Sequence, residues 1–527
     1  MYDILIKDAI IIDGSKKNKY QADVGIYDGK IDKIKRGINK NSAKKLINAK
    51  DMYLTPGFID LNNHSDTFLT LFTTPSQESL LRQGITTILG GGCGSSLAPL
   101  VSGDSLKSIQ KWADITQINL NWLTFEEFLE TLKKIKIGVN FASLIGHSTL
   151  RRGLLKDEYR EVKPKELKIM IEMLKTAMKQ GAFGLSTGLV YSHAKLATTK
   201  EIIELAKVVK SFNGLYTTHV RGEAEELIPA IEETIEVAKK TGVNTEISHL
   251  KAMGKNHWAN MKNAIALIES ANDKKTNINF DIYPYTITGS VLYILLPDWV
   301  AGGGRIELLK RLKDPAIKQK IIQEMQEKKS YEYEKIVIST SPINRSFIGK
   351  KITEIAQAQE ISVEEAIINM LLISEGRISI FLNTLSEENV KSGISNKFSF
   401  IGSDGAGYDS NHYQEKSDLV HPRCFGAFPR FLGKYVEQEH LLNWEEAIYK
   451  ITYGPAQKLG LTKRGLIKKG YFADLTIIDP KEIIDKATFE NPYQYPKGIK
   501  HVLVNGQIAV ENGYLTINRA GKILRKS

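Results

Sequence analysis

Cysteine is nearly absent from this chain of 527 residues: only Cys93 and Cys424 occur. At most one disulfide is possible, so no framework of bridges staples the fold, and a reducing, cytoplasmic setting is the expectation. Long apolar runs are absent too. No stretch approaches the ~18 apolar residues that argue for a bilayer-spanning helix, so no membrane association is expected. Residues 1–8 alternate and carry an acid early, unlike a secretory leader. There is no acidic excess: 72 Lys and Arg stand against 60 Asp and Glu, a net charge of +12. The basic residues are mostly lysines scattered among Ile and Asn, with small clusters such as Lys44-Lys45 and Lys468-Lys469. A nucleic-acid surface needs a concentrated basic patch interleaved with aromatics, and none is visible. The charge reads as a solvated, lysine-rich surface. Internal repeats and low-complexity segments are also missing.

What is present is an ordinary globular composition, 42% hydrophobic and 25% charged. Residues 1–55 alternate as short strands, and Asp28-Gly29 between two of them is a hairpin signal. Residues 465–527 look alike, with turns at Asn505-Gly506 and Asn512-Gly513. The two ends are expected to build one small β domain together. Residues 56–464 have another rhythm: apolar runs ending at polar or glycine-rich positions, with amphipathic helices between most of them. The ends fall at His64, Cys93, His147, Ser186, His219, His249, Tyr283 and Asp404. Several intervals are about 30 residues, the length of one strand-plus-helix unit. Eight such units close into a (β/α)₈ barrel of the TIM type, whose chemistry sits at the C-terminal strand ends. The interval from 283 to 404 is too long for one crossover. It holds helical pieces at 305–327 and 361–374, so an inserted subdomain, residues 286–350, is expected after the seventh strand, walling the site.

The residues at the strand ends suggest a metal. Cys93 lies in Gly90-Gly91-Gly92-Cys93-Gly94, where flanking glycines let the backbone bend and approach something closely. A buried structural cysteine normally sits inside an apolar run instead. His219 and His249 close consecutive β-rich runs and so point at one barrel mouth. Thiolate and imidazole are good Zn²⁺ ligands, and three protein ligands plus water is the catalytic pattern. Asp404, after another β run, is placed to take a proton from the water and give it to a leaving amine. As an isolated feature it would be an ordinary turn residue. His64 serves as an extra ligand or as a hydrogen-bonding group beside the site. Asn62, two residues earlier, offers only a neutral amide oxygen that Zn²⁺ has little reason to prefer over water.

With these segments in view, the chain resembles the N-acyl-D-amino-acid deacylases, or D-aminoacylases, of the amidohydrolase superfamily. The resemblance rests on residues 56–60, Gly92-Cys93-Gly94, residues 181–189, Thr218-His219-Val220-Arg221, Ile247-Ser248-His249 and Gly402-Ser403-Asp404-Gly405. Tyr283-Pro284-Tyr285, residues 421–430 and residues 465–475 add to it, in order along nearly the whole chain. It implies a (β/α)₈ barrel with a small β domain from both termini. It also implies one tight zinc on Cys93, His219 and His249, and Asp404 as acid/base. The family's His-x-His pair, which helps form a second, weaker metal position, falls on Asn62 and His64, so this chain keeps one imidazole of two. A clamp for the substrate carboxylate is implied at Lys251, Tyr283, Ser290 and Arg423.

The reaction so implied is zinc-dependent hydrolysis of an N-acyl-D-amino acid, a small molecule, to a carboxylate and a free D-amino acid. Two alternatives stand beside it. One is ring opening of cyclic amides, as in hydantoinase-like relatives. Those generally use a carbamylated lysine on the fourth strand, and here that strand ends near Ser186-Thr187-Gly188 with no lysine. The other is a non-catalytic scaffold on this fold, which the loss of a histidine at position 62 invites. Retention of Cys93, both histidines and Asp404 argues against it.

Overall fold

The computed structural model describes residues 1–109, 113–328, 331–410 and 418–526. Two arcs of parallel strands form its centre. One comprises Phe58–Asp60, Ile85–Gly90 and Asn140–Ser143; the other comprises Ile145–Gly146, Gly184–Gly188, Leu215–His219, Asn244–Ile247, Ile278–Ile282 and Ser399–Ile401. Strands such as Ile85-Thr86-Thr87-Ile88-Leu89 are buried at every position, as expected of parallel strands covered on both faces. Asn140–Ser143 runs on into Ile145–Gly146 and joins the arcs at one side. There the Leu144 N–H donates to Gly90 O at 3.0 Å and the Phe183 N–H to Ser143 O at 2.9 Å.

At the other side the first and last of these strands meet. The Asp404 N–H donates to Asn62 O at 2.8 Å, and the His64 N–H to Gly405 O at 2.7 Å. One carboxylate ties this seam. Asp60 accepts from the backbone N–H groups of Ser403 (2.9 Å) and Asn62 (3.3 Å), from the Asn63 amide (2.9 Å) and from the Ser403 hydroxyl. It is fully buried, so bulk solvent does not compete for these bonds.

The helices that cover the strands are amphipathic in the ordinary way. Thr199–Ser211 begins at Thr198, whose side chain accepts from the Glu201 N–H, and it buries Ile202, Leu205, Ala206 and Val209 at the i, i+3, i+4, i+7 spacing. Leu227–Thr241 ends at Gly242 in the left-handed region, with its N–H returned to Ala238 O at 2.8 Å.

A nine-stranded sheet takes strands from both ends of the chain. Tyr53–Pro56 pairs antiparallel with Leu475–Ile478 and parallel with Tyr2–Ile11. The Asp-Gly and Asn-Gly pairs at 28–29, 505–506 and 512–513 all have positive φ at both residues and close two-residue hairpins, the geometry those dipeptides favour. The last residues leave this sheet. Ile523 bridges Phe141 in parallel, and the Phe141 N–H donates to Lys522 O at 2.9 Å. The C-terminus is thus laced onto the ring, where the sequence had suggested only the small domain.

After the seventh ring strand the chain builds a separate layer. Ile287–Val291, Ser379–Asn383 and Ile336–Thr340 form an antiparallel sheet, backed by Gly304–Lys313, Pro315–Lys328 and Val363–Ile373. Leu292, Ile338, Ile367, Leu371 and Ile380 give it a hydrophobic cluster of its own. Its middle strand, Ser379–Asn383, lies beyond residue 350 because the sheet closes only when the chain returns to the ring. Among the described residues no helix is long and apolar enough to cross a membrane.

Replacing Asp60 by Ala should strand four buried donors at the seam. At about 1 kcal/mol or more for each unmet buried bond, Asp60→Ala should lose about 3 kcal/mol or more in denaturant unfolding. A loss below 1 kcal/mol would show that the seam does not depend on this carboxylate.

Candidate active site

Close packing sets the Cys93 loop. A Cβ on Gly91 would lie 2.2 Å from Leu144 O, and one on Gly188 would lie 2.3 Å from Cys93 O. The glycine run therefore lets the second strand's exit lie flat against its neighbours. Cys93, His249 and Asp404 hold left-handed backbone, with φ of 48°, 38° and 47°. Such a conformation is costly for residues with a Cβ and tends to persist where function needs it.

The structure brings five strand-end side chains together. Cys93 Sγ is 3.4 Å from His249 Nε2 and 3.9 Å from His64 Nε2. The His219 and His249 rings meet edge to face at 4.3 Å. One ligand atom from each of Cys93, His219 and His249 lies within 4.8 Å of the others, and the same holds for His64, Cys93 and Asp404. His64 Nε2 is also 2.9 Å from Asp404 Oδ1.

Three of the four groups expected to clamp a carboxylate border this cluster, each in its own way. Arg423 Nη1 is 2.7 Å from Asp404 Oδ2, and its guanidinium lies over the Tyr283 ring at 4.8 Å. Tyr283 is buried, and its hydroxyl has no hydrogen-bond partner among the described residues. The Lys251 ammonium donates to Glu223 and lies 2.8 Å from His249 Nδ1. Both cations are thus held by acids of the chain itself. The fourth group, Ser290, is half-buried on Ile287–Val291. Cys93, His249, Asp404, Arg423 and Ser290 all line one cavity of about 1090 Å³, whose far wall includes Tyr293, Arg345 and Ser379 of the inserted layer.

The charges are set by proximity. Burial pushes the Cys93 thiol up, but His249, His219 and His64 outweigh it and hold the thiol well below its usual value. Burial likewise opposes ionisation of Asp404, yet Arg423, His249 and His64 keep its carboxyl well below the carboxylate range. Two acids absent from the expected set also belong here. Asp281 accepts from the His249 N–H at 3.0 Å and from the Asn62 amide at 3.2 Å; burial raises it to about 7. An acid between Phe280 and Ile282 in an apolar strand was the available signal. Glu223 stands 3.3 Å from His219 Nε2 and 3.4 Å from His249 Nδ1. Nothing in its segment, Arg221-Gly222-Glu223, distinguishes it from a loop acid.

The donor set fits a metal. Among the described residues both ring nitrogens of His219 are buried without a hydrogen-bond partner, the 3.3 Å approach to Glu223 being an ion-pair contact. Buried imidazole is rarely left so unless something else takes its lone pair. A thiolate and two imidazoles suit zinc. Asn62 Oδ1 is also buried and has no hydrogen-bond partner among the described residues, while the Asn62 amide nitrogen is spent on Asp281.

The amidohydrolase family model matches residues 45–279 and 409–510, and the chain belongs to that family of hydrolases. It is 30% identical to the D-aminoacylase of Alcaligenes xylosoxydans xylosoxydans over 526 residues, 100% of this chain and 98% of that one. Its fold superposes on the N-acyl-D-glutamate deacylase of Bordetella bronchiseptica, solved with zinc and a phosphonate mimic of the tetrahedral intermediate. The TM-score is 0.84 at 27% identity, covering 99% of each chain. A D-aminoacylase structure bearing on the functional role of its binuclear metal centre, one-metal activation and second-metal attenuation, matches at a TM-score of 0.83 and 29% identity over 100% of each chain. Within the amidohydrolases, then, this chain is a member of the D-aminoacylase branch. The solved relatives and the donor set agree on a metal cofactor.

Gly188→Ala should push against Cys93 O and shift the thiol. The expected result is a folded protein with about tenfold weaker metal binding, read by metal analysis after dialysis against a chelator. Unchanged metal content would show that the loop tolerates the added methyl.

Proposed function

We propose that the chain hydrolyses the amide of an N-acyl-D-amino acid, releasing a carboxylate and a free D-amino acid, with one zinc on Cys93, His219 and His249. The observation that carries the reading is the convergence of these three ligands on the cavity that also holds Asp404 and Arg423. Bound zinc supplies Lewis acidity, lowering the pKa of a water and polarising the acyl carbonyl. Asp404 accepts the proton of the attacking water and passes it to the leaving nitrogen. His64, 2.9 Å from Asp404, holds that carboxylate in line. Arg423 and Lys251 receive the substrate carboxylate, with Tyr283 and Ser290 beside it. Because Arg423 now pairs with Asp404, binding a substrate carboxylate there frees Asp404 to take a proton. The clamp fixes one end of the amino acid and so selects its hand.

The fold reading that goes with this is a (β/α)₈ barrel over residues 56–464, a small β domain from 1–55 and 465–527, and an insertion after the seventh strand as the cavity wall. The fourth ring strand, Gly184–Gly188, carries no lysine, which supports a linear amide over a cyclic one. Two buried, unbridged cysteines suit a reducing cytoplasm. The partner is a small molecule, not nucleic acid or membrane. The Asn62 departure, with its amide committed to Asp281, supports one zinc per chain rather than two.

Metal analysis of protein purified without chelator should give about one equivalent of zinc, and Asn62→His should raise it toward two; a native chain carrying two would overturn the one-zinc reading. Chelation should abolish hydrolysis, and Zn²⁺ should restore it. Asp404→Asn should keep its zinc while kcat falls by about 10²–10⁴; near-normal turnover would remove Asp404 from the mechanism. A screen of N-acetylated D- and L-amino acids tests the substrate class, and hydrolysis of L-substrates alone would defeat it.

A further inference from the structure

Among the described residues, Glu223 is the one carboxylate that touches both histidines of the metal cluster. Its Oε1 is 3.3 Å from His219 Nε2 and 3.4 Å from His249 Nδ1. Its position is fixed from two sides. A Cβ on the preceding Gly222 would lie 2.3 Å from Glu226 Cβ, and Glu223 O accepts from the Met253 N–H at 2.7 Å. The residue thus clips the loop after the fifth ring strand to the loop after the sixth.

The geometry at His249 gives this contact a consequence. Its Nε2 faces Cys93 Sγ at 3.4 Å, so Nε2 is the nitrogen that would hold a metal. A ligating imidazole carries its proton on the other nitrogen and needs an acceptor for it. Two groups reach His249 Nδ1: the Lys251 ammonium at 2.8 Å and Glu223 Oε1. An ammonium only donates. While Lys251 donates to Nδ1, the proton belongs on Nε2 and the ring is in the wrong tautomer for a metal. Of these two, only Glu223 can accept from Nδ1–H.

We propose that Glu223 is a positioning residue that exchanges partners when the metal binds. In this structure its carboxylate holds Lys251 against His249. With metal on Nε2 it receives the His249 Nδ1–H, and the Lys251 ammonium swings into the cavity, where a substrate carboxylate is its new partner. Metal loading and readiness of the clamp are then one event. The inference rests on reading Cys93, His219 and His249 as metal ligands.

The test is zinc affinity in the full-length protein, by competition with a chromophoric chelator, for the parent, Glu223→Gln, Glu223→Ala and Lys251→Met. Glu223→Ala should weaken zinc by about 100-fold and Glu223→Gln, which keeps an acceptor oxygen without the charge, by about 10-fold. Lys251→Met removes the competing donor and should bind zinc at least as tightly as the parent. Co²⁺-loaded Glu223→Gln should show a shifted d–d spectrum. Glu223 variants within twofold of the parent, or Lys251→Met weakened tenfold, would overturn the exchange. If Glu223→Ala fails to fold, Glu223→Gln and Lys251→Met decide. A parent that binds no zinc would overturn the ligand reading and this inference with it.

Discussion

The seam between the first and last ring strands is the constraint on which the site depends. Asp60 gathers four donors from the 60–63 segment and Ser403 at a fully buried position. The backbone exchanges that follow, Asp404 to Asn62 and His64 to Gly405, place Asp404 and His64 face to face across the join. These residues are 340 apart in the chain, and only closure of the ring makes them neighbours. A buried carboxylate left short of partners would be costly, so the seam favours the arrangement in which all four donors meet it.

From the seam the chemistry spreads along a connected set of contacts. Asp404 meets Arg423 on one side and His64 on the other; His64 borders Cys93; Cys93 borders His249; His249 and His219 share Glu223. Each charge has an opposite charge or a hydrogen-bond donor beside it. That pairing is what lets so many ionisable groups lie below one-tenth exposure without neutralising one another. Lys251 and Arg423 belong to the same network, paired with Glu223 and Asp404.

Much of this was legible in the residues. Eight strand ends were read from apolar runs that stop at His64, Cys93, His147, Ser186, His219, His249, Tyr283 and Asp404, and each lies in or within four residues of a ring strand. The three hairpin turns followed from Asp-Gly and Asn-Gly, because those pairs tolerate positive φ. The extent of the inserted layer was not legible, since its sheet is completed by Ser379–Asn383, long after its first strand at Ile287–Val291. Nor was the docking of Ile523 on Phe141: no local pattern announces a single distant bridge. Asp281 and Glu223 were passed over because a lone acid in a strand or a loop has many ordinary explanations, and only distance to the histidines selects these two.

The sequence by itself determined the alternation of strands and helices, the turns and the kinds of donor atom available: one thiol with glycines around it, histidines and an acid at strand ends, and an asparagine where a second imidazole is expected. These are local properties, carried by hydrophobic period, backbone permissiveness and side-chain chemistry. Tertiary structure alone decided which donors meet. It set Nε2 of His249 toward Cys93 and Nδ1 toward Lys251 and Glu223, committed the Asn62 amide to Asp281, and seated Arg423 on Asp404. Apart from the Lys251 contact, two positions along the chain, those choices depend on distances of a few ångströms between residues tens or hundreds of positions apart, and such distances exist only once the ring has closed.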